Sequence, residues 1–504
     1  MSGRTIALLL FAALVLAGLI LTYLAGRRSR TAGEFWAAGG GISPTRNAIA
    51  TLGDLMSGSA LLGGIGLMFL VGYDSLLYLV LPLLAWIPVM LLVAERLRNL
   101  GEYTLTDVLV RRFRSGSLRT VLAVSTLAIS GLYLLAQVVV AGNLFTLLSG
   151  TGYPVAVVVT GVIMVAYVGL GGMHGATVIQ VVKAVLLIGV LAGLTVLLLV
   201  RFGGDVGGMV ARAVAPAGGL DPLRPGNLLK DPWDLLSVAL AGTLGVAGLP
   251  HVMMRIFTVR DAVHARRSVT VTVALLTVAT VLIAFVGLGA SALLRNETKE
   301  LAASGGNLVA PRLAELLGGA PTLGIVSAIA FATVLAVVAG LLVNASSAVV
   351  RDIWPSRAGD EVRRAKRTTV AIGVVVVVVA IALGPTFNAT LLVTLAFAVA
   401  ASANVPVLLF TLTWRRFTTT GAITGVLTGL TAAVVLMLLG PTLWPGEHPP
   451  ISLSAPTLIA LPLGVLGCVV GTVLSRRAPA GDFAAIQIES ELGRGARATA
   501  ESAR

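Results

Sequence analysis

The strongest constraint on this chain is a series of apolar runs, each long enough to cross the hydrocarbon core of a membrane. A helix needs about 20 mostly apolar residues to span about 30 Å of hydrocarbon. The composition agrees, with 57% hydrophobic residues, only 12% charged residues and a mean hydropathy of +0.97. We therefore predict an all-α, polytopic membrane protein that lies in a lipid bilayer. The thirteen predicted spans are at residues 6–25, 47–72, 76–95, 119–148, 153–170, 177–200, 234–254, 269–294, 323–350, 369–386, 389–412, 420–440 and 455–475.

Basic residues predict how these spans are oriented. They cluster after alternate apolar runs, whereas the opposite connections are short and nearly uncharged or mix both signs. Because cytoplasmic loops carry the excess of Lys and Arg, we expect the N-terminus outside and the C-terminus inside the cytoplasmic membrane. Loop charges of this kind account for the net charge of +14 without a nucleic-acid partner. The clusters include Arg27, Arg28, Arg30, Arg96, Arg98, Arg111, Arg112, Arg114, Arg255, Arg260, Arg266, Arg267, Arg363, Arg364, Lys366, Arg367, Arg415, Arg416, Arg476 and Arg477.

Other features of the sequence limit the function classes. The first run, 6–25, is followed by arginines and is predicted to be a retained span rather than a secretory signal. A phosphate-binding GxxxxGK[ST] loop and an appended soluble domain are absent, which argues against ATP-driven pumps and sensor kinases. The single cysteine, Cys468, excludes a disulfide within one chain. We expect no enzyme activity, no cofactor and no obligate protein partner. The polar end, 476–504, is predicted to be a disordered cytoplasmic tail.

The run at 47–72 carries an acidic residue and many glycines, both of which are costly inside a membrane. Asp54 is a carboxylate within a predicted span, and such a group normally faces a cavity or a partner. Interior glycines such as Gly53 and Gly58 allow a helix to unwind, which frees backbone carbonyls to coordinate a small ion. We hypothesise that this span forms the floor of a transport site. The alternative is that the glycines serve helix packing only and that Asp54 lies near water at the cytoplasmic end.

A second interrupted helix is predicted at residues 234–257. It contains several glycines followed by Pro250, which removes a backbone donor and breaks or kinks a helix. This span comes five spans after the first interrupted one and so enters from the opposite side. Interrupted helices at matching places in two inverted halves indicate the midplane site of a secondary transporter. The alternative is that glycine, with 58 of 504 residues, is simply frequent.

Several long strings resemble the sodium:solute symporter family, and within it the acetate permease branch of cation/monocarboxylate symporters. The resemblance extends over residues 33–475. It implies a LeuT-type fold with a transporter core at 33–412, inverted repeats at about 47–200 and 234–412, a flanking segment at 1–32 and flanking helices at 413–475. The strings that carry it are ERLRNLGEYTLTDVLVRRF (95–113), GGMHGATVIQVVKAVLL (171–187), GLPHVMMRIFTVRDAVHARRSV (248–269), SAIAFATVLAVVAGLLVNASSAVVRDIW (327–354) and LAFAVAASANVPVLLFTLTWRRFTTTGAITG (395–425).

The resemblance implies a substrate site at the midplane, between the two interrupted helices. In addition to backbone groups, the candidates for this site are small or polar residues at membrane depth. The alternative for each polar residue is a hydrogen bond between helices without a ligand. The substrate-binding candidates are Ser57, Ser59, Gln137, Thr243, Gly245, Gly248, Ser402 and Asn404, with Tyr133 beside Gln137. The candidates for binding or coupling a cation are Gly53, Asp54 and Thr333.

One departure from the family concerns the coupling ion. Sodium-coupled members place a Ser/Thr pair about ten residues before a Ser-rich turn, here Ser346 and Ser347. The matching positions are Ala336 and Val337, which supply no side-chain oxygen to a hard cation. The coupling ion is therefore left open between Na⁺ and H⁺, with a buried Asp54 as the group that would carry a proton.

Three basic residues in or near spans are predicted to have structural roles. Lys183 is expected to reach the inner surface, Arg255 to extend its charge to the interface, and His251 to cap the broken backbone after Pro250. For His251 and Arg255, the alternative role is to assist an inner gate or attract a carboxylate.

Together these features predict a symporter that imports acetate or a similar short-chain monocarboxylate with a cation by alternating access. In the expected mechanism, the bound cation cancels the repulsion between Asp54 and the anionic substrate. The alternatives are a symporter of the same family for proline, urea or a sugar, and a solute-sensing membrane module without net transport.

Overall fold

The computed structural model describes residues 3–26, 42–100, 104–168, 173–214, 221–354, 361–444, 448–475 and 483–493. These residues form helices and connections, with no strand among them. The first part of the chain contains α1 (Gly3–Gly26), α2 (Pro44–Leu55), α3 (Ser59–Val71), α4 (Asp74–Leu100), α5 (Leu105–Phe113), α6 (Gly116–Ser149), α7 (Tyr153–Val168), α8 (Met173–Arg201) and α9 (Val206–Val214).

The second part of the chain continues the helical pattern toward the C-terminus. It contains α10 (Pro232–Gly248), α11 (Pro250–Thr258), α12 (Ala262–Leu293), α13 (Thr298–Ala302), α14 (Val309–Ile353), α15 (Glu361–Leu383), α16 (Ala389–Thr413), α17 (Thr419–Leu438), α18 (Thr457–Val473) and α19 (Phe483–Leu492).

Eight of the described helices are long and apolar enough to cross a membrane, and two bent pairs raise the number to ten. The bent pairs are α2 with α3 and α10 with α11. Shorter apolar helices lie at three of the other predicted spans, Thr5–Ala17, Tyr153–Ala166 and Thr457–Val473. The count of thirteen spans and the repeat boundaries at 47–200 and 234–412 therefore stay predictions, whereas the all-helical membrane fold is confirmed.

The first bent pair lies at the centre of the bundle. Helix α2 packs against α8 and α12, and α3 packs against α4 and α12, while its first turn also contacts α14 and α16. Long apolar helices therefore enclose the break on most sides. A break in this position is held by tertiary packing rather than by its own hydrogen bonds, because the missing backbone bonds must be satisfied inside the protein.

The outer helices present large apolar side chains away from the protein. Leu91 of α4 is 70% exposed, Val162 of α7 is 65% exposed and Val200 of α8 is 73% exposed. A surface of this kind would favour aggregation in water but matches the hydrocarbon of a bilayer. The exposed apolar belt and the apolar helices agree with a multi-pass membrane protein.

At the arginine-rich end of the bundle, the short helix α5 is hydrogen-bonded to the end of α16 and to the turn that follows it. The Arg112 guanidinium of α5 donates hydrogen bonds to carbonyls in the turn between α16 and α17, among them Thr411 O at 2.6 Å and Trp414 O at 2.8 Å. Burial lowers the pKa of Arg112 to about 10, so the group keeps its charge at neutral pH. This network fixes the end of α16, and α16 forms one wall of the site described below.

Part of the C-terminal tail is ordered, contrary to the predicted disorder. Helix α19 packs on α4, where Asn99 Nδ2 donates to Ser490 O at 2.8 Å, and Arg111 pairs with Glu489 at 2.7 Å. Composition alone did not predict this helix, because its polar residues are held by partners distant in sequence. Residues 476–482 and 494–504 of the predicted tail, and the arginines at 27–30, lie outside the described residues.

Candidate functional site

The first helix break lies at Met56 and Ser57. Met56 leaves the helical region, with φ −78° and ψ 72°, and the axes of α2 and α3 differ by 61°. Helix α3 then begins with a wide π-helical turn from Ser59 to Gly63. The break interrupts the backbone hydrogen-bond ladder, so carbonyls of the last turn of α2 are available to other donors. The predicted interruption of this helix is confirmed.

The second break lies at Leu249, directly before Pro250. Leu249 is extended, with φ −79° and ψ 110°, and the axes of α10 and α11 differ by 46°. Glycines permit close packing here, because a Cβ at Gly245 would lie 2.5 Å from Phe397 O and one at Gly248 only 2.4 Å from Ala400 O. The second break therefore rests directly on the backbone of α16, where this helix carries its own π-helical segment from Ala400 to Asn404.

Polar side chains meet at the first break. The hydroxyls of Ser57 and Ser59 are 2.5 Å apart, and Gln137 Nε2 of α6 donates to Ser59 Oγ at 3.1 Å. From α16, Thr390 Oγ1 donates to Ser59 O at 3.0 Å. All of these groups are buried. Gln137 Oε1 is also buried and has no hydrogen-bond partner in the part of the chain that the structure describes, so it remains available to a ligand.

A cavity of about 60 Å³ opens beside this cluster. One water molecule needs roughly 10–15 Å³ of such volume, so the cavity holds about four to six water-sized groups. Its wall is mixed, since aromatic rings lie next to hydroxyls. The residues that line it include Ser59, Ala60, Tyr78, Trp86, Tyr133, Thr280, Thr390, Thr394 and Phe397.

Two aromatic residues connect the cavity to the second break. Tyr133 of α6 lies beside Ser57 and packs its ring edge-on against His251 of α11, with 5.2 Å between the ring centroids. Phe397 lines the cavity on one side and contacts Gly245 of α10 on the other. The cavity therefore lies against the first break, with a wall formed by α2, α3, α4, α6, α12 and α16, and these two rings connect it to the second break.

Buried charges surround the end of α2. Asp54 Oδ2 accepts a hydrogen bond from Arg255 Nε of α11, and both side chains are almost fully buried. Lys183 of α8 is 3% exposed, and its ammonium donates to Gly53 O and, at 3.0 Å, to Gln180 Oε1. The expectation that Lys183 and Arg255 extend to the membrane surface is therefore wrong. Both are held inside the protein because they have partners there, which a buried charge requires.

The expected mechanism for Asp54 needs a correction as well. A co-transported cation was expected to cancel the charge of this carboxylate, but Arg255 already does so within the chain. His251 was expected to cap the broken backbone. Neither of its ring nitrogens has a hydrogen-bond partner within the described ranges, so no such cap is formed there.

The predicted residues of the second break have mainly interhelical contacts. Asn404 Nδ2 donates to Gly248 O at 2.8 Å, and its Oδ1 accepts from Ser125 Oγ at 2.8 Å. Thr243 donates to Ala239 O of its own helix at 2.6 Å. Both the nitrogen and the oxygen of the Asn404 amide are therefore engaged, whereas the Gln137 amide keeps an oxygen without a partner among the described residues.

Two further predicted residues have buried hydroxyls without a partner among the described residues. They are Ser402 in the π-helical segment of α16 and Thr333 of α14. Neither lines the cavity at the first break. Their roles in binding substrate or cation stay predictions.

Several residues at the site were not predicted from the sequence. Trp86 and Tyr78 of α4 line the cavity, as do Thr390 and Thr394 of α16. The two threonines are four residues apart and so share one helix face, which is a signal that sequence reading can detect. A single Trp or Tyr in an apolar span gives no such signal, because these residues also serve as anchors at the membrane interface.

Two interrupted helices, with a partly polar cavity against the first break, indicate a multi-pass secondary transporter rather than an enzyme. The chain belongs to the sodium:solute symporter family, whose model matches residues 35–429. An uncharacterized symporter of Bacillus subtilis (strain 168), YwcA, is 42% identical, and the match covers 97% of this chain and 98% of that protein. Cation-coupled symport of a small solute is therefore the function of the family to which this protein belongs.

Solved structures of transporters have the same fold. A Na⁺-coupled sialic acid symporter in a substrate-bound outward-open state superimposes with a TM-score of 0.75 at 15% identity, covering 94% of this chain and 98% of that chain. The nucleobase-cation-symport-1 family transporter Mhp1, in a closed conformation with bromovinylhydantoin bound, superimposes with a TM-score of 0.58 at 14% identity. The match covers 90% of this chain and 98% of that chain. At these identities the likeness shows the LeuT-type fold alone.

Proposed function

We propose that this protein imports acetate or a similar short-chain monocarboxylate across the cytoplasmic membrane, together with a co-transported cation, Na⁺ or H⁺. The observation that carries the proposal is the small cavity beside the first helix break. Its volume of about 60 Å³ suits a molecule of acetate size, two carbons and two oxygens. In this proposal Ser57, Ser59 and Gln137 contact the substrate. Gly245, Gly248, Thr243, Ser402 and Asn404 shape or support the second break.

The donors around the cavity suit a carboxylate. Ser59 and Tyr133 carry hydroxyls, and Trp86 carries an indole N–H that is buried without a hydrogen-bond partner among the described residues. A carboxylate accepts hydrogen bonds only, so donors of this type match it. Apolar side chains such as Leu276 and Val393 complete the wall and suit a short alkyl group.

Electrostatics also favour an anion. The formal charges of Lys183, Arg255 and Asp54 sum to +1 at the end of α2, and Leu55 and Met56, which follow directly, line the cavity. The first residues of α3, Ser59 and Ala60, lie in the wall as well, so the positive end of this half-helix faces the cavity. Both effects stabilise a bound carboxylate more than a neutral solute.

The alternatives within this family fit the site less well. A sugar needs more volume than the cavity has, and urea lacks the negative charge that the cluster favours. A sensing module without net transport is the remaining alternative. It is distinguished by accumulation, since only a transporter moves solute into a sealed vesicle.

A competition assay tests the substrate class. We expect labelled acetate uptake into proteoliposomes to be inhibited by propionate more strongly than by proline, urea or glucose at equal concentration. Both the charge and the size of the cavity favour the short acids. Protein-free liposomes of the same lipid give the background, because neutral acetic acid crosses lipid by itself. If a neutral solute competes better than propionate, the monocarboxylate assignment is wrong.

The orientation of the chain remains part of the proposal. The docking of α19 beside Arg96 and Arg111 supports a C-terminus on the arginine-rich face. Under the positive-inside rule this face is cytoplasmic, with the N-terminus outside.

A further inference from the structure

A sodium ion at the first break would need oxygen ligands from both α2 and α14. On α14, the side chains of Ala336 and Val337 are buried and supply none. The carbonyl of Ala336 already accepts a hydrogen bond from Gln180 Nε2 of α8 at 3.2 Å. The structure therefore lacks the expected hydroxyl pair at 336 and 337, and Thr333, one turn earlier, is the nearest residue of this helix that carries a side-chain hydroxyl.

The carbonyl that α2 offers is also engaged. Gly53 lies one turn before the break, and its oxygen accepts from the Lys183 ammonium. Helices α2 and α8 can approach closely here because Gly53 has no side chain. A Cβ at this position would lie 2.6 Å from Gln180 O. Helices α2 and α8 therefore pack closely at the Gly53 carbonyl, and Lys183 of α8 reaches this oxygen.

Lys183 is held in this position by several partners. Gln180, one turn earlier on α8, accepts from the ammonium with its Oε1 and donates to α14 with its Nε2. Asp54 is close enough to interact with the lysine charge, and Arg255 is the other charged group that acts on it. One ammonium therefore links α2 to α8, and through Gln180 to α14, which is the set of helices that a bound cation would join.

We infer that the Lys183 ammonium takes the place of a free metal cation at the end of α2, so that this protein transports its solute without sodium. The inference rests on the proposed symport function, because it names the ion that this site excludes. The inference therefore favours H⁺ over Na⁺ as the coupling ion. Sodium is excluded both by repulsion from the ammonium and by loss of the Gly53 oxygen.

The direct test is the melting temperature of the purified protein in NaCl compared with choline chloride at equal ionic strength, without any substrate. An ion that binds the folded state raises Tm. We expect no sodium-specific rise for the wild type. Lys183→Ala frees the Gly53 carbonyl, and we expect a sodium-specific rise in Tm for this variant, with Lys183→Met as the replacement if the alanine variant does not fold. Lys299→Ala, at an exposed lysine of α13, is the matched control and is expected to respond as the wild type does.

Uptake provides the second readout. We expect Lys183→Ala to slow labelled acetate uptake about 30-fold or more in choline, because the Gly53 and Gln180 oxygens lose the charged donor that joins α2 to α8, and sodium to restore part of it. A sodium-specific rise in Tm for the wild type, or identical sodium responses of wild type and Lys183→Ala, would overturn the inference. Because the Tm comparison uses no acetate, a failure of acetate uptake alone would count against the proposed substrate and not against this inference.

Discussion

Arg255→Gln is expected to destabilise the protein by about 3–5 kcal/mol and to abolish transport. The substitution removes the partner of Asp54 inside the bundle, and breaking a buried ion pair on one side leaves an uncompensated charge. Asp54 is only 8% exposed and Arg255 only 4%, so water cannot replace the missing guanidinium. A thermal unfolding curve in detergent measures the loss of stability, and proteoliposome uptake measures the loss of transport.

The double variant Asp54→Asn/Arg255→Gln separates pairing from packing. Replacing both charges by amides removes the ion pair as a whole and leaves Lys183 as the remaining buried charge at the end of α2, so we expect the double variant to regain part of the stability lost by Arg255→Gln. Additive losses from the two single substitutions would show that the ion pair does not couple these helices. The exposed pair of Arg312 and Glu297, 2.7 Å apart, supplies the control. Arg312→Gln is expected to cost less than about 1 kcal/mol, as is usual for pairs at a wet surface.

The pairing has a consequence for transport, because it joins α2 to α11 directly below both breaks. Asn47 Nδ2 of α2 also donates to Arg255 O at 3.1 Å and to Ser268 Oγ at 2.9 Å. Helices α2 and α11 are thus held to each other and to α12. Opening the site on the side of α2 and α11 requires these contacts to separate or to move as one body.

Ala60→Phe is expected to reduce uptake at least about 100-fold while leaving the protein folded. Ala60 lies in the wall of the cavity and is only partly buried, so a phenyl ring can enter the space of about 60 Å³. Even one surplus methylene in a fitted pocket commonly costs 10–200-fold, roughly 1–3 kcal/mol, and a ring is much larger. Initial uptake rates at saturating and low acetate measure the effect, and the unfolding curve confirms that the fold is retained.

The control for this variant is Ala274→Phe. Ala274 lies on α12, the helix that contributes Leu276 and Thr280 to the cavity, but it is exposed on the outer side of the bundle. A phenyl ring there meets lipid and is expected to leave uptake unchanged. Normal uptake by the Ala60→Phe variant would mean that the substrate passes elsewhere.

The helical fold and both helix breaks could be predicted from the sequence, because each depends on local chemistry. Apolar runs must form helices in lipid, since every backbone donor and acceptor has to be satisfied within the segment. Glycines around Ser57 and the proline at 250 weaken the helix wherever the chain folds. The same reasoning placed Ser57, Ser59 and Asp54 at one break, since all three lie within a few residues of it.

The contacts between helices could not be predicted in the same way. Lys183 and Arg255 were expected to reach the surface, because sequence position gives depth only approximately and does not give the rotation of a helix. Both side chains are long enough to reach either water or a buried partner. The buried outcome depends on Asp54 and Gly53, which are more than a hundred residues away in sequence. Likewise, the bond from Asn404 to Gly248 is set by how α16 packs on α10.

The most direct test of the whole account is the initial rate of labelled acetate uptake into proteoliposomes, with a proton gradient and a sodium gradient imposed separately. With an inward proton gradient, we expect an uptake rate above that of protein-free liposomes. We expect a sodium gradient to add nothing to this rate. Uptake driven by sodium alone would contradict the role assigned to Lys183. A rate equal to that of protein-free liposomes under both gradients would contradict acetate transport itself.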